Sequence, residues 1–388
     1  MELDRNKKIL LYLAVFLAAF YIPFDSSLLQ KAILEAFHML GEYAREHVLT
    51  CLIPAFFIAG AIANFVSKEA VIKYFGGGVR KWISYGIASV SGMVLAVCSC
   101  TVLPLFSGIY KRGAGIGPAI AFLYSGPAIN VLAILLTARV LGWQLGLARA
   151  IGAIFFALVI GLAMALIFRK EDRERLRGNL INTSQEGQER RSGPQNLVYF
   201  GIMILILISL TWSKEQGALL YNLKWPITAT LLAGLSYILH KWFNKDELKE
   251  WMDSTWDFAE GILPLLLVGV MVAGLLMGRP DTNAGLIPAG WVSASVGGNS
   301  LLANFTASII GAFMYFATLT EIPILQGLLG LGMGRGPALA LLLAGPAVSL
   351  PNLLVVHSVL GTKKTLTYVV LVVLLSTFVG TIYGWLIV

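Results

Sequence analysis

The chain has 388 residues, 57% of them hydrophobic and only 13% charged, with a mean hydropathy of +0.78 and a formal net charge of +8. A charged fraction about half the usual ~25% excludes an ordinary soluble domain and predicts an all-α polytopic membrane protein. Its apolar runs are continuous rather than alternating, which excludes a β-barrel, and the positive excess flanks those runs instead of forming a nucleic-acid surface.

The first apolar run, 9–24, follows MELDRNKK without a small-residue cleavage site, so it reads as a retained span. Arg5, Lys7 and Lys8 place the amino terminus in the cytoplasm, and the loop 67–81 after the run 48–66 carries four more Lys/Arg and belongs on the same side. Cys51, in TCLIP, lies on a different span from the other two cysteines. As one straight helix, 82–110 would measure about 43 Å, too long for a core of ~30 Å. Lys111 and Arg112 also return it to the side of Arg80 and Lys81. The segment therefore reads as a re-entrant hairpin with its tip at Cys98-Ser99-Cys100-Thr101. In an extended tip Cys98 and Cys100 converge on one side, and Thr101 caps a short arm with Pro104 in its first turn. The partial positive charge of that arm's start favours anions and thiolates. A buried cysteine is equally a small hydrophobe, and the residues alone leave both roles open.

The run 119–138 carries Ser125, Gly126, Pro127 and Asn130, and 143–168 is the next span. Segment 169–194 holds seven Lys/Arg and reads as a flexible cytoplasmic linker. Runs 197–213, 225–240 and 261–278 follow, with Glu260 read as a solvated helix start. The second tip, Ala317-Thr318-Leu319-Thr320-Glu321, offers a carboxylate and no thiol. An acid at membrane depth is a functional candidate, here a proton carrier; the alternative pairs Glu321 with Arg335. Runs 336–358 and 365–388 complete nine spans, two hairpins and an outside carboxyl terminus. Asn130 and Asn352 read as substrate contacts or as bonds across helices, and Arg139 and His357 as structural residues.

A shift of 219 residues lays Thr101–Gly142 on Thr320–Gly361 with 17 of 42 positions identical, among them Pro104/Pro323, Gly117/Gly336, Pro118/Pro337, Gly126/Gly345 and Pro127/Pro346. A weaker match at a shift of 210 sets Pro54 on Pro264. The charges send the span after Gly117 outward and the span after Gly336 inward, so the halves read as inverted copies. Inverted repeats with broken helices and re-entrant hairpins are transporter architecture, with sites near the midplane. Pro127 and Pro346 fall mid-span and each frees a carbonyl. The organisation expected is 1–47, a first span and amphipathic segment; 48–168, repeat 1; 169–196, the cytoplasmic linker; 197–259, connecting spans; and 260–388, repeat 2.

At CSCTVLPLFSGIYKRGAGIGPAIAFLYSGPAIN the sequence resembles the predicted-permease family that includes YraQ and the ArsP organoarsenical efflux permeases, over 48–168 and 260–388. The resemblance implies a multi-pass permease of a prokaryotic cytoplasmic membrane. Its best-known members export trivalent methylated or aromatic arsenicals, which two thiols at Cys98 and Cys100 would suit.

The expectation is a permease rather than an enzyme, moving a small, thiophilic solute through the bilayer by alternating access, with no cofactor, no metal and no nucleic-acid partner. Homo-oligomerisation stays open. Substrate-binding candidates are Cys98, Ser99, Cys100, Thr101, Ser125, Gly126, Pro127, Asn130, Thr320, Gly345, Pro346 and Asn352, with Glu321 for proton coupling. The alternatives are a membrane thiol oxidoreductase using Cys98 and Cys100, or a channel.

Overall fold

The computed structural model describes residues 16, 20, 26–65, 83–89, 99–129, 131–183, 193–210, 212, 218–278, 285–287, 289–313, 321–330 and 332–387. The described chain is helical apart from turns and one isolated antiparallel bridge, Gly297 to Met333. It is an all-α membrane protein. The span expected at 9–24 lies outside the described residues except for Phe16 and Phe20.

Helix α1 (Ser27–Tyr43) passes through a π-helical stretch, Ala44–Leu52, into α2 (Ile53–Phe65), with a bend of 47°. Beyond α3 (83–89), the first repeat continues as α4 (Ser99–Lys111), α5 (Ile116–Ala128), α6 (Val131–Val140) and α7 (Trp143–Ile167). The middle of the chain forms α8 (Arg169–Thr183), α9 (Gly193–Leu210), α10 (Ala218–Trp242) and α11 (Lys245–Met277). After α12 (Ala289–Ser295) come α13 (Leu301–Phe313), α14 (Glu321–Gly330), α15 (Arg335–Val348), α16 (Leu350–Leu360) and α17 (Thr362–Ile387). Among these, α7, α11 and α17 are each long and apolar enough to cross a membrane, and α5–α6 and α15–α16 are broken spans bent by 43° and 46°.

The 219-residue shift holds for whole elements. It carries the end of α4 at Lys111 to the end of α14 at Gly330, and the starts of α5, α6 and α7 to those of α15, α16 and α17. The packing repeats as well. Gly117 of α5 faces Gly161 of α7, and their equivalents Gly336 and Gly380 bring α15 against α17. A Cβ on Gly161 would lie 2.8 Å from the Gly117 carbonyl oxygen, and one on Gly380 would lie 2.8 Å from that of Gly336. Small residues let the helix backbones approach where lipid offers no hydrophobic drive to bring them together. Tyr124 Oη donates to the Leu343 carbonyl at 2.9 Å, a contact between equivalent positions, so the pseudo-two-fold axis passes beside it.

Contacts around α7, whose ends are about 36 Å apart, give the direction of each repeat. The start of α5 lies at the end of α7, where Asp172 Oδ2 accepts from the Ile116 N–H at 3.0 Å. The start of α15 lies at the start of α7, where Arg335 Nη1 donates to Gln144 Oε1 at 3.3 Å. Lys364, opening α17, sits 3.3 Å from Glu171, just past the end of α7. Thus α5 opposes α15 and α7 opposes α17, as inverted repeats require.

Two sequence expectations need correction. Residues 169–183 of the expected flexible linker are helix α8, because their charges dock on the membrane unit. Arg175 lies 3.7 Å over the Tyr110 ring, donates to the Tyr110 carbonyl at 2.9 Å and to the Ala114 carbonyl, and pairs with Asp172 at 2.9 Å, clamping the turn between α4 and α5. The boundary at 259/260 falls inside α11, which runs unbroken, so Glu260 lies mid-helix and exposed rather than at a helix start. The helix breaks fall just after Pro127 and Pro346. In the second repeat Ser349 is extended (ψ 146°), and Pro351 has no N–H to continue the ladder from Ala347.

Gly161→Ala and Gly380→Ala should each lower stability by about 1–3 kcal/mol and by similar amounts, measured by thermal unfolding in detergent. A marked loss in only one would show that the two packings are not equivalent.

Candidate functional site

Glu321 is the first residue of α14, where the sequence expects the second hairpin tip. Its partner is Arg149 of α7: Nη2 lies 2.5 Å from Oε1, with side chains 0% and 1% exposed. Arg335, the partner considered from sequence, is exposed and bonded to Gln144 instead. Arg149 Nη1 donates to Thr137 Oγ1 of α6 at 3.0 Å, and Thr137 donates onward to the Ala133 carbonyl at 2.6 Å. The trio thus ties α6 and α7 of repeat 1 to the start of α14 of repeat 2. By helix rise, Arg149 lies about 9 Å in from the start of α7, and Glu321 about 14 Å in from the end of α14. Both reckonings start from the face that carries Arg335, and they put the pair deep in the membrane.

Arg149 is among the largest fully buried side chains of the described residues. Its Nε and Nη2 and both Glu321 oxygens have no aligned hydrogen-bond partner among the described residues. The pair therefore meets at a single Nη2–Oε1 contact rather than as the two-point fork that an arginine and a carboxylate readily form. Sequence reasoning missed Arg149, although its signal was present: it is the one charged residue in the apolar stretch Trp143–Ile167, and such a residue is functional by default.

The pseudo-symmetry supplies a comparison within the molecule. Glu321, Arg149 and Thr137 correspond to Val102, Tyr368 and Val356, which are 1%, 0% and 0% exposed. Tyr368 donates to the Ala347 carbonyl at 3.2 Å, the acceptor that Pro351 leaves without its helical N–H. The equivalent positions on that side of the axis are buried without a formal charge.

The other candidates are placed as follows. Cys98, Asn130 and Thr320 lie outside the described residues. Ser99, Cys100 and Thr101 form the first turn of α4, and Thr101 is buried; the tip expected to be extended there is helical from Ser99. Helix pairs backbone groups that an extended strand would leave open at membrane depth. Pro104 is accordingly the sixth residue of α4 and leaves the Cys100 carbonyl without its helical donor. Ser125 Oγ donates to the Phe122 carbonyl at 3.1 Å, and Gly126 and Pro127 are buried in the last turn of α5. Asn352 Nδ2 donates to the Pro346 carbonyl at 3.1 Å and so closes the helix break, while the Gly345 backbone packs on Gly311. His357 bonds Thr362 at 2.9 Å at an exposed position, and Arg139 is exposed at the end of α6. On the face that carries Arg175, a pocket of about 440 Å³ opens among Ser107, Tyr110, Lys111, Asp257 and Phe258. Ser107 lies two helical turns along α4 from Cys100. No group of three or more metal-ligating side chains occurs among the described residues.

Comparison with known proteins agrees with this architecture. The family model for a predicted permease, ArsP_1, matches residues 33–385. The UPF0718 protein MJ0584 of Methanocaldococcus jannaschii is 44% identical over 353 residues, covering 88% of this chain and 93% of that protein. The UPF0718 protein YraQ of Escherichia coli is 26% identical over 275 residues, 71% of this chain and 59% of that one. No solved structure matches. The chain belongs to the predicted-permease family.

Arg149→Met alone should destabilise the protein by about 3–5 kcal/mol, because it strands a buried carboxylate, and adding Glu321→Leu should recover most of that loss. Thermal unfolding of the purified variants measures both. A single variant as stable as the parent would mean that Glu321 is not held as an ion by Arg149.

Proposed function

We propose that this member of the predicted-permease family is a secondary transporter that moves a small solute across the cytoplasmic membrane by alternating access. The observation that carries the reading is the Arg149–Glu321 pair, which joins two inverted repeats through the end of a re-entrant arm. A contact of this kind holds one arrangement of the repeats while both groups are charged, and it weakens when a proton neutralises the acid. Glu321 is the proton-coupling residue in this mechanism. The positive-inside rule sets the Arg169–Arg175 face in the cytoplasm, so the pocket beside Ser107 is the inner vestibule, leading along α4 toward Cys100.

Cys98 and Cys100 supply soft ligands at the start of α4, which favours a thiophilic solute; the family resemblance makes a trivalent organoarsenical the first compound to try. The other residues proposed for the site are Thr101, Ser125, Gly126, Pro127 and Asn130 of repeat 1 and Thr320, Gly345, Pro346 and Asn352 of repeat 2, the helix-break residues by positioning rather than by ligation.

The test is uptake of a trivalent methylated arsenical into everted membrane vesicles, with and without a proton gradient. Accumulation should require the gradient. Glu321→Gln should abolish accumulation yet leave exchange intact, because glutamine mimics only the protonated acid. Cys98→Ser and Cys100→Ser should each reduce transport by about tenfold, the equivalent of ~1.4 kcal/mol of ligand binding. Uphill transport by Glu321→Gln removes that residue from coupling, and normal transport by both serine variants removes the soft-ligand reading.

A further inference from the structure

We infer that Arg149 binds an anionic group of the solute in place of Glu321 once that acid is protonated, so that the permease moves a small monoanion together with one proton. The inference rests on the transporter reading above and specifies the class of substrate.

The fold does not require the charges. At the equivalent positions of the other repeat, Val102, Tyr368 and Val356 are buried apolar and phenolic side chains without a formal charge. Replacing buried ion pairs by well-packed apolar residues is often neutral or stabilising, so packing alone does not account for a lone arginine within an apolar span. The cation is also incompletely engaged. A guanidinium has five N–H donors; here Thr137 takes one, Glu321 contributes a charge contact, and Nε has no partner among the described residues. An oxyanion carries several lone pairs and fits such an open fork better than the single contact present.

The surroundings leave one acid to exchange. Among the described residues, the titratable side chains near the pair are Tyr124 of α5, within reach of the Arg149 charge, Tyr368 of α17 beside Tyr124, and Glu321 itself on α14. Helix α6 presents Thr137, its Arg139 being exposed at the far end, and α15 carries only Arg335, exposed at its start. The exchange balances: a carboxylate paired with Arg149, one proton and one monoanion become a carboxylic acid and an arginine–anion pair. No charge is added to the buried site. The anion can therefore enter without an uncompensated ion at membrane depth.

The experiment uses the purified full-length protein in detergent, with acetate, nitrate, benzoate and methanesulfonate as probes, read by thermal stabilisation and by proton uptake in weak buffer over a pH series. At least one probe should bind saturably with one proton taken up per anion, its apparent Kd falling about tenfold per unit decrease in pH where Glu321 is ionised. Glu321→Gln should bind the same anion without pH dependence or proton uptake. The triple variant Thr137→Val/Arg149→Tyr/Glu321→Val, which copies the equivalent junction, should remain folded and bind about 10- to 100-fold more weakly. The inference is overturned if no probe binds with proton uptake, if the triple variant binds as well as the parent, or if it unfolds, which would make the pair a structural necessity. If the parent protein accumulates a neutral arsenical in vesicles but binds none of the probe anions with proton uptake, the transporter reading stands and the anion assignment falls.

Discussion

The hydrocarbon core offers a polypeptide no hydrogen-bond partners, so each carbonyl or N–H released by a helix break must find one within the protein. This constraint organises the described structure. Where α15 ends, Asn352 takes the Pro346 carbonyl and Tyr368 takes the Ala347 carbonyl. Where α5 begins, Asp172 takes the Ile116 N–H, while Arg175 takes the carbonyls of Tyr110 and Ala114 at the turn before it. Asp172 and Arg175 of helix α8 take up those groups, which docks the first turns of a largely exposed, charged helix on the membrane unit.

The two repeats divide their residues into those that build the fold and those that make it asymmetric. The glycine pairs, the Gly-Pro helix starts and the late-helix prolines recur at 219-residue spacing because both halves solve the same packing problem. Arg149, Glu321 and Thr137 do not recur. A charge pair bridging the repeats responds to protonation in a way that its apolar counterpart does not, and it sits where motion of one repeat against the other would make or break it.

Much of this was legible in the residues. Hydropathy and charge placement identified a helical membrane protein, the internal match identified inverted halves, and the cost of an acid in lipid singled out Glu321. Periodicity and spacing could not supply its partner, because Arg149 and Glu321 are 172 residues apart and meet only when α7 and α14 pack around the axis. The symmetry reading also pointed away from the pair: the equivalents of these residues are Tyr368 and Val102, so a search for matched positions passes over them. Asn352 was read as a substrate contact or a bond across helices, yet it reaches back only six residues to close its own helix break. Its role depends on where the bend falls, and that is set by Ser349 and Pro351 together with the packing around them.

What the sequence by itself determined is therefore the environment and the plan: helices in lipid and two inverted copies. Each follows from local composition or internal repetition, properties that survive without knowledge of contacts. Only the tertiary structure decided which charges meet, that α8 is a clamp rather than a tether, and that the chain at Ser99–Thr101 is helical. Those outcomes depend on side chains from distant segments competing to satisfy the same few unpaired groups, and that competition is settled by proximity in space.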